Sequence, residues 1–289
     1  MIVRVSVFLL LVSLAGGVSA QQSSAAYRAW IGPDGQPLPF HSDAEVLDFL
    51  RNAEVISEKD LSVGVTVPKK VLLEKDGVRA NAVFRHLDKE DAPGQDSLEV
   101  HFRDSYLFEA AAYELSVALG LNQVPPTVLR KLHGTSGSLQ MWVEKSVSED
   151  KRVKQQLVAP DAAAWSGQIH TLRVFDALIE NMDRNQGNLL VTPDDWKLWF
   201  IDHTRAFRLH DGLTNADHLT RCDRALFRRL QELNEADLRA RTRDMLRPAQ
   251  VRALLKRRDR IVRHFQQLIA TRGEEAVLFD SHASSGEAR

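Results

Sequence analysis

The sequence predicts an α+β fold with two lobes, a small strand-rich N-lobe followed by a mostly helical C-lobe. Strand-like runs flank the turn Asp76-Gly77, a pattern typical of a β-hairpin. A helix is predicted over 104–120, where apolar residues recur at helical spacing. Helical periodicity then dominates 162–182 and 223–273.

The chain has 289 residues, which is enough for two joined lobes. The predicted parts are a signal peptide (1–20), an N-terminal extension (21–54), an N-lobe with a hinge (55–146), a helical C-lobe (147–275) and a disordered tail (276–289). In the extension, a short helix is predicted from a cap at Ser42 or Asp43 to about Ala53. Strands are predicted at 63–66, 71–73, 78–84, 138–144, 189–191 and 196–201, with an extended segment at 124–128 and a loop at 88–97.

Composition and charge argue against several kinds of site. The net charge of −1 gives no global reason to expect nucleic-acid binding. Cys222 is the single cysteine, so an intrachain disulfide and a cysteine metal cage are excluded. The ten histidines do not include the H-E-x-x-H spacing of a zinc site.

The first twenty residues differ from the rest of the chain. A largely apolar run at 5–14 follows Arg4, and small residues at 18–20 precede Gln21, which is typical of a cleaved secretory signal. The run is short for a membrane span, so an uncleaved anchor is the weaker alternative, with a buried N-terminal helix as a third. We therefore predict a secreted or periplasmic protein.

Three polar residues carry the strongest functional signal. Asp183 and Asn188 stand five positions apart in a turn-forming run after a long apolar helix, and Asp202 ends a later strand-like run. Phosphoryl transfer needs a carboxylate to hold the acceptor hydroxyl, and oxygen ligands for a metal ion that bridges nucleotide phosphates. The alternative interpretation is that these residues form ordinary polar turns and caps.

The runs DRNQGNLL (183–190) and IDHTRAF (201–207) resemble the catalytic and metal-binding loops of kinases related to the phosphatidylinositol 3- and 4-kinases and the HipA-type bacterial kinases. The resemblance implies a protein-kinase-like fold and an ATP-dependent phosphotransferase that uses Mg²⁺ or Mn²⁺. It implies Asp183 as the catalytic base and Asn188 and Asp202 as metal ligands.

The resemblance extends into the N-lobe. It implies that Glu109, with Glu114 as its rival, pairs with the residue that binds the nucleotide phosphates. That residue is a lysine in the family, whereas Arg85 ends the corresponding strand here. Lys70 and Lys75 on the neighbouring strand are weaker candidates for the same role.

The remaining nucleotide contacts are also implied by the resemblance. The strand at 137–144 resembles the hinge whose backbone holds adenine, or else is an ordinary core strand. The residues expected to bind nucleotide are Gly64, Thr66, Arg85, Glu109, Gln140, Trp142 and Glu144. Two further departures from the family are the absence of a glycine-rich phosphate loop and Asn185, where many lipid kinases carry histidine.

These departures leave alternatives open. We expect a kinase that acts on an unknown protein or small molecule, or a pseudokinase-like nucleotide-binding module, or an unrelated globular protein. His203 and Arg205 either contact phosphate or fix their loop. The arginine-rich stretch 221–263 is predicted to be a salt-bridged helix face, with a weak membrane-surface or acidic-substrate contact as the alternative.

Overall fold

The structure is a computed structural model that describes residues 27–61, 68–90 and 103–281. The predicted signal peptide lies outside these ranges, and so do Gly64 and Thr66. In the described ranges, no helix is both long enough and apolar enough to cross a membrane.

The elements follow the predicted order, strands first and helices later. The described helices are α1 (Asp43–Asn52), α2 (Leu107–Ala118), α3 (Glu149–Lys154), α4 (Ala162–Ile179), α5 (Arg224–Glu232), α6 (Glu235–Arg241), α7 (Pro248–Arg272) and α8 (Glu274–Val277). The described strands are β1 (Glu54–Asp60), β2 (Lys69–Lys75), β3 (Val78–Arg85), β4 (Asp88–Glu90), β5 (Arg103–Ser105), β6 (Thr127–Leu132), β7 (Thr135–Met141), β8 (Val147–Ser148), β9 (Leu189–Thr192), β10 (Lys197–Phe200), β11 (Cys222–Asp223) and β12 (Leu278–Phe279).

An antiparallel sheet of order β1-β2-β3-β7-β6 forms the N-lobe. Asp76 and Gly77 both have positive φ, which is the backbone of the tight hairpin turn predicted between β2 and β3. In the pairing of β3 with β7, Arg85 lies opposite Ser138. The end of β3, with Arg85, therefore lies next to β7, the last strand of this sheet along the chain.

The N-terminal segment, residues 27–53, packs against this sheet. Its helix α1 begins at the predicted cap, where the Ser42 hydroxyl accepts a hydrogen bond from a backbone N–H. Trp30 of the segment packs against Trp199 of β10, with ring centroids 5.3 Å apart. Arg28 pairs with Asp195 and lies over the Trp199 ring. The segment thus contacts both lobes.

The C-lobe is built around α4, the β9-β10 hairpin and α5 to α7. Its core includes Phe175 of α4 and also Phe108 and Leu115 of α2, so α2 joins the two lobes. Residues 142–146 connect β7 to β8, which pairs with β9. This connection therefore runs from the N-lobe sheet into the C-lobe.

Three elements, β1, β4 and β12, differ from the sequence expectation. Residues 88–90 of the predicted loop 88–97 form β4, which pairs with β5, so that loop boundary is corrected. Strand β1 was not predicted, because its residues are mostly exposed and polar and give no alternating pattern. Strand β12 lies in the tail that the sequence predicts to be disordered from residue 276. It pairs in parallel with β11, so the predicted tail boundary is corrected, and residues 276–281 belong to the folded lobe.

Candidate active site

The loop that carries Asp183 begins where α4 ends. Glu180 at the end of the helix has a φ of 51°, which turns the chain out of the helical path. The Asp183 backbone N–H donates to the Asn181 side chain at 3.2 Å. The Asp183 side chain is 47% exposed, so its carboxylate is open to a second molecule.

Asn188 and Asp202 are brought together by the pairing of β9 with β10. The Asn188 side-chain amide donates to the Asp183 backbone carbonyl at 3.3 Å, which closes the loop between these two residues. The Ile201 N–H donates to the Asn188 carbonyl at 3.2 Å. Because Asp202 follows Ile201 directly, the three residues singled out by the motif lie in one region.

Arg184 fixes this arrangement, a role that the sequence analysis missed. Its Nε and Nη2 donate to the Asp176 carboxylate of α4, both at 3.0 Å. Its Nη1 donates to the carbonyls of Asn188, at 2.8 Å, and Ile201, at 2.6 Å. One guanidinium group therefore ties α4 to the backbone beside both predicted metal ligands. Its position next to Asp183 was the one sign of this role in the sequence. Its partners Asp176 and Ile201 lie eight and seventeen residues away, so the sequence did not identify them.

Arg85 and Glu109 form a buried ion pair between β3 and α2. The Arg85 Nε lies 3.6 Å from the Glu109 Oε1, and the Glu109 side chain is fully buried. The rival Glu114 lies instead 3.7 Å from Arg241. The structure thus brings Arg85 together with Glu109, the partner favoured by the resemblance.

Glu109 also holds the segment that follows Asp202. The His203 backbone N–H donates to the Glu109 Oε1 at 2.9 Å, and the His203 Nδ1 lies 3.3 Å from the Oε2. The His203 ring is fully buried and packs edge-on against Phe175. These contacts favour the loop-fixing role for His203 over phosphate contact.

The pKa values of Glu109, which is fully buried, and Asp202, which is half-buried, are shifted in opposite directions. Burial by itself would raise the pKa of Glu109, but the Arg85 charge and the His203 hydrogen bonds hold that pKa well below its usual range. Burial raises the pKa of Asp202; the neighbouring Arg85 charge opposes this rise, and the Glu109 charge adds to it. The negative charge of Asp202 is therefore disfavoured, and a bound cation would stabilise it.

Several buried polar atoms of the site have no hydrogen-bond partner among the described residues. They are the Arg85 Nη1, the His203 Nε2 and the Asp104 Oδ1. A buried donor without a partner costs about 1–3 kcal/mol. Phosphate oxygens would satisfy the Arg85 donor, so the residues present fit a nucleotide phosphate.

Arg205 lies between the open carboxylate and the buried region. Its Nε donates to Asp104 at 3.0 Å, and its Nη1 is 3.5 Å from the Asp183 Oδ2. One guanidinium group thus lies beside both Asp183 and Asp104.

The residues expected at the base-binding end lie near the inter-lobe link. The Lys70 ammonium lies 4.0 Å from the centroid of the Trp142 ring and 3.9 Å from Glu144. The Asn81 side-chain amide donates to the same Glu144 oxygen at 2.6 Å. Lys70, Trp142 and Glu144 thus form one group, and Lys70 is engaged away from the Arg85 position.

Two other sequence candidates have local partners. The Gln140 side chain is buried and donates to Thr127 at 3.0 Å, so it ties β7 to β6. Lys75 lies at the far end of β2 and pairs with Asp48 of α1 at 2.6 Å. Neither side chain contacts the Arg85–Glu109 pair.

Cavities elsewhere do not coincide with this site. A cavity of about 400 Å³ opens between α6 and α7, with Arg243 and Val251 in its lining. None of the predicted site residues lines it. In the part of the chain that the structure describes, no group of three or more His, Cys, Asp or Glu could hold a metal ion by itself.

Comparison with known proteins shows the fold. No protein-family model matches the chain, and no curated protein matches it significantly in sequence. Among solved structures, hydra Fam20 with sugar is similar at a TM-score of 0.63 and 16% identity, over 84% of this chain and 94% of its own. The Golgi casein kinase is similar at a TM-score of 0.60 and 17% identity, over 83% of this chain and 78% of its own.

Two further structures support the same fold. The Golgi casein kinase with Mn/ADP bound gives a TM-score of 0.58 at 16% identity, over 83% of this chain and 80% of its own. The Helicobacter pylori proinflammatory kinase CtkA gives 0.50 at 13% identity, over 76% of this chain and 98% of its own. The prediction of a two-lobed kinase-like α+β fold is confirmed.

Proposed function

We propose that the protein is an ATP-dependent phosphotransferase, which transfers the γ-phosphate to a hydroxyl group of an unidentified protein or small-molecule acceptor. The observation that carries the proposal is the placement of a buried Arg85–Glu109 pair beside Asp202 within a kinase-like fold. The similarity to a kinase whose structure holds Mn/ADP supports ATP with Mg²⁺ or Mn²⁺ as cofactors.

The chain supplies groups for both the phosphates and the cation. Arg85 would donate its unpartnered Nη1 to phosphate oxygens. Asn188 and Asp202 would hold the cation through side-chain oxygens, and the phosphates and water would complete its coordination. When bound, the cation neutralises charge on the phosphates during transfer.

Asp183 is suited to receive the acceptor. Its exposed carboxylate would accept a hydrogen bond from the acceptor hydroxyl and take its proton as the oxygen bonds to the γ-phosphorus. The bond between this phosphorus and the leaving ADP oxygen breaks in the same transfer. A positioned base of this kind contributes about 10²–10⁴-fold.

A second candidate function rests on Arg85 itself. Arginine is always charged, larger than lysine and fixed in shape, so it does not reproduce a lysine on the phosphates. A pseudokinase-like module that binds nucleotide without transferring phosphate is therefore the alternative. Asp183 argues against it, since binding alone needs no exposed base.

The cellular location and closer kinship are part of the proposal. The signal-like segment at 1–20 and the similarity to a kinase named for the Golgi support a secreted or periplasmic protein. Kinship with the phosphatidylinositol 3- and 4-kinases and HipA-type kinases stays a prediction from the motif. Base contacts by Gln140, Trp142 and Glu144 stay predictions as well.

Membrane contact through the arginine-rich stretch also stays a prediction. Many of these guanidinium groups pair with acids, as the salt-bridged alternative requires. The pairs include Arg224 with Glu274, Glu275 and Asp280, Arg239 with Glu235, Arg241 with Glu114, Arg247 with Glu90, Arg258 with Asp259, and Arg260 with Asp211.

The test is ATP hydrolysis and autophosphorylation by the purified protein, with Mg²⁺ and Mn²⁺ in parallel. We expect phosphate transfer that Asp183→Ala and Asp202→Ala both abolish, while Asp150→Ala, on the surface of α3, leaves it unchanged. If wild type transfers no phosphate, a metal-dependent thermal shift with ATP that Asp202→Ala removes would establish the binding module. No shift under any condition would refute nucleotide binding.

A further inference from the structure

A second cluster of basic side chains lies on the C-lobe, away from the candidate active site. His170 and Arg173 stand one turn apart on α4, and Arg221 precedes β11. Within the described ranges, none of the three forms an ion pair with a carboxylate. This sets the cluster apart from the paired arginines of α5 to α7.

The ring of Phe279 in β12 holds two members of the cluster in place. The guanidinium carbon of Arg221 lies 5.3 Å from the Phe279 centroid, and the His170 ring lies 6.0 Å from it. Gly167, one turn earlier on α4, makes room for the ring, since a Cβ there would lie 3.0 Å from Phe279. His170 and Arg221 are therefore positioned by packing, which lowers the entropy lost when a ligand binds.

Two nitrogens of the cluster have unmet hydrogen-bonding capacity. The His170 Nδ1 and the Arg221 Nε are buried and have no partner among the described residues. An arginine Nε–H can only donate, so its partner must supply an acceptor oxygen. A ligand with several oxygens would satisfy both atoms.

The carboxylates that follow Arg173 and Arg221 most closely in sequence are engaged elsewhere. Asp176, one turn after Arg173, receives both hydrogen bonds of the Arg184 fork. Asp223, two residues after Arg221, accepts from two backbone N–H groups at 2.8 and 2.9 Å. Within the described ranges, no carboxylate therefore neutralises the positive charge of the cluster.

The pKa of His170 is shifted in the direction expected beside other positive charges. Burial lowers its pKa, and the charges of Arg173 and Arg221 lower it further. A bound anion would offset the two arginine charges and raise this pKa, which provides a direct readout.

We propose that His170, Arg173 and Arg221 form a binding site for a phosphate group, either inorganic phosphate or a phosphate monoester. Two guanidinium groups match the nearly double negative charge of such a group at neutral pH and donate in pairs to its oxygens. Nine residues of α4, roughly 14 Å, separate His170 from the end of the helix before the Asp183 loop. The phosphate bound here is therefore not the one transferred, and the inference does not depend on the proposed function.

The test follows the His170 ring resonances by NMR, assigned with His170→Gln. Inorganic phosphate and O-phospho-L-serine are titrated separately at constant ionic strength. We expect saturable shifts of the His170 signals, a rise in the pKa of its ring, and at least about tenfold weaker binding in Arg173→Gln and Arg221→Gln. The matched control is Arg252→Gln, because Arg252 is exposed on α7 and should not affect binding.

The outcomes are distinct. Tighter binding of O-phospho-L-serine supports a site for a phosphorylated partner, and equal binding supports one for phosphate itself. Shifts of His170 that do not saturate by about 20 mM of either probe would overturn the proposal, as would equal weakening by Arg252→Gln. If Arg221→Gln does not fold, Arg173→Gln decides, because Arg173 is exposed and its replacement leaves the core intact.

Discussion

Replacing Arg184 by methionine tests whether this side chain positions the two predicted metal ligands. Arg184 and Asp176 are nearly buried, with side-chain exposures of 12% and 14%. Methionine keeps the apolar stem but removes all four hydrogen bonds to Asp176, Asn188 and Ile201. Asp176 is then left as a buried charge without its main partner.

The expected loss of stability follows from these contacts. Removing one partner of a buried ion pair costs about 3–5 kcal/mol, and an exposed pair is worth at most about 1 kcal/mol. Because Arg184 is slightly exposed, we expect a loss of about 3 kcal/mol. In a domain of this size, such a loss lowers the melting temperature by about 6–12 °C.

A positioning role also predicts an effect that a purely structural residue would not have. Without the guanidinium group, the backbone at Asn188 and Ile201 can shift, and a displacement of about 1 Å costs about 10²-fold in rate. We therefore expect Arg184→Met to need a higher Mg²⁺ concentration for half-maximal nucleotide binding, measured by isothermal titration calorimetry below its melting range. Arg184→Lys should be intermediate, since its ammonium cannot span all three partners.

The control is Arg252→Met, which removes an exposed arginine of α7. A melting temperature of Arg184→Met within about 2 °C of wild type would refute a structural role for these hydrogen bonds. An Arg184→Met protein that is destabilised but keeps its Mg²⁺ requirement would refute the positioning role, because the side chain would then support the fold without positioning the metal ligands.

Three further predictions concern other parts of the chain. Burial and the nearby Arg28 lower the pKa of Lys197 from its ordinary value near 10.5 to about 7, so stability should rise between pH 7 and 9 as the native lysine loses its proton before the unfolded one. Urea unfolding of Lys197→Met should show a smaller rise, and an identical rise would contradict the assignment. Gly137→Ala should lose about 2 kcal/mol or more in the same assay, because a Cβ would collide with the Phe84 ring and the β3 backbone. Burial raises the pKa of Cys222, so thiol reagents should label it only on unfolding, and rapid labelling of the native protein would contradict its burial.

The sequence predicted the elements whose signals are local. Asp76-Gly77 specified the β2-β3 hairpin through the backbone that this pair prefers. Ser42 specified the start of α1, and the spacing of apolar residues specified α4. In each case the interactions that determine the element lie within a few residues, so the local sequence is enough to predict it.

The contacts that assemble the candidate site join residues far apart in the sequence, so local sequence patterns could not predict them. Glu109 and His203 are 94 residues apart, and neither residue carries a local pattern that names the other. The motif showed which residue types belong together near Asp183, and the family resemblance suggested Glu109 as a partner of Arg85. Only the structure shows that Glu109 serves two partners at once, and that Arg184 joins α4 to the metal-binding region.

The double use of Glu109 has a consequence for how the site can move. If α2 shifted away from β3, the Arg85 guanidinium would lose its nearest buried carboxylate. The same movement would remove the acceptor of the His203 N–H, one residue after Asp202. Buried charges and donors left in this way cost several kcal/mol together, so the position of α2 and that of Asp202 are energetically linked. Any ligand that draws Asp202 inward should therefore also stabilise α2, and hydrogen exchange in α2 should slow when metal and nucleotide bind.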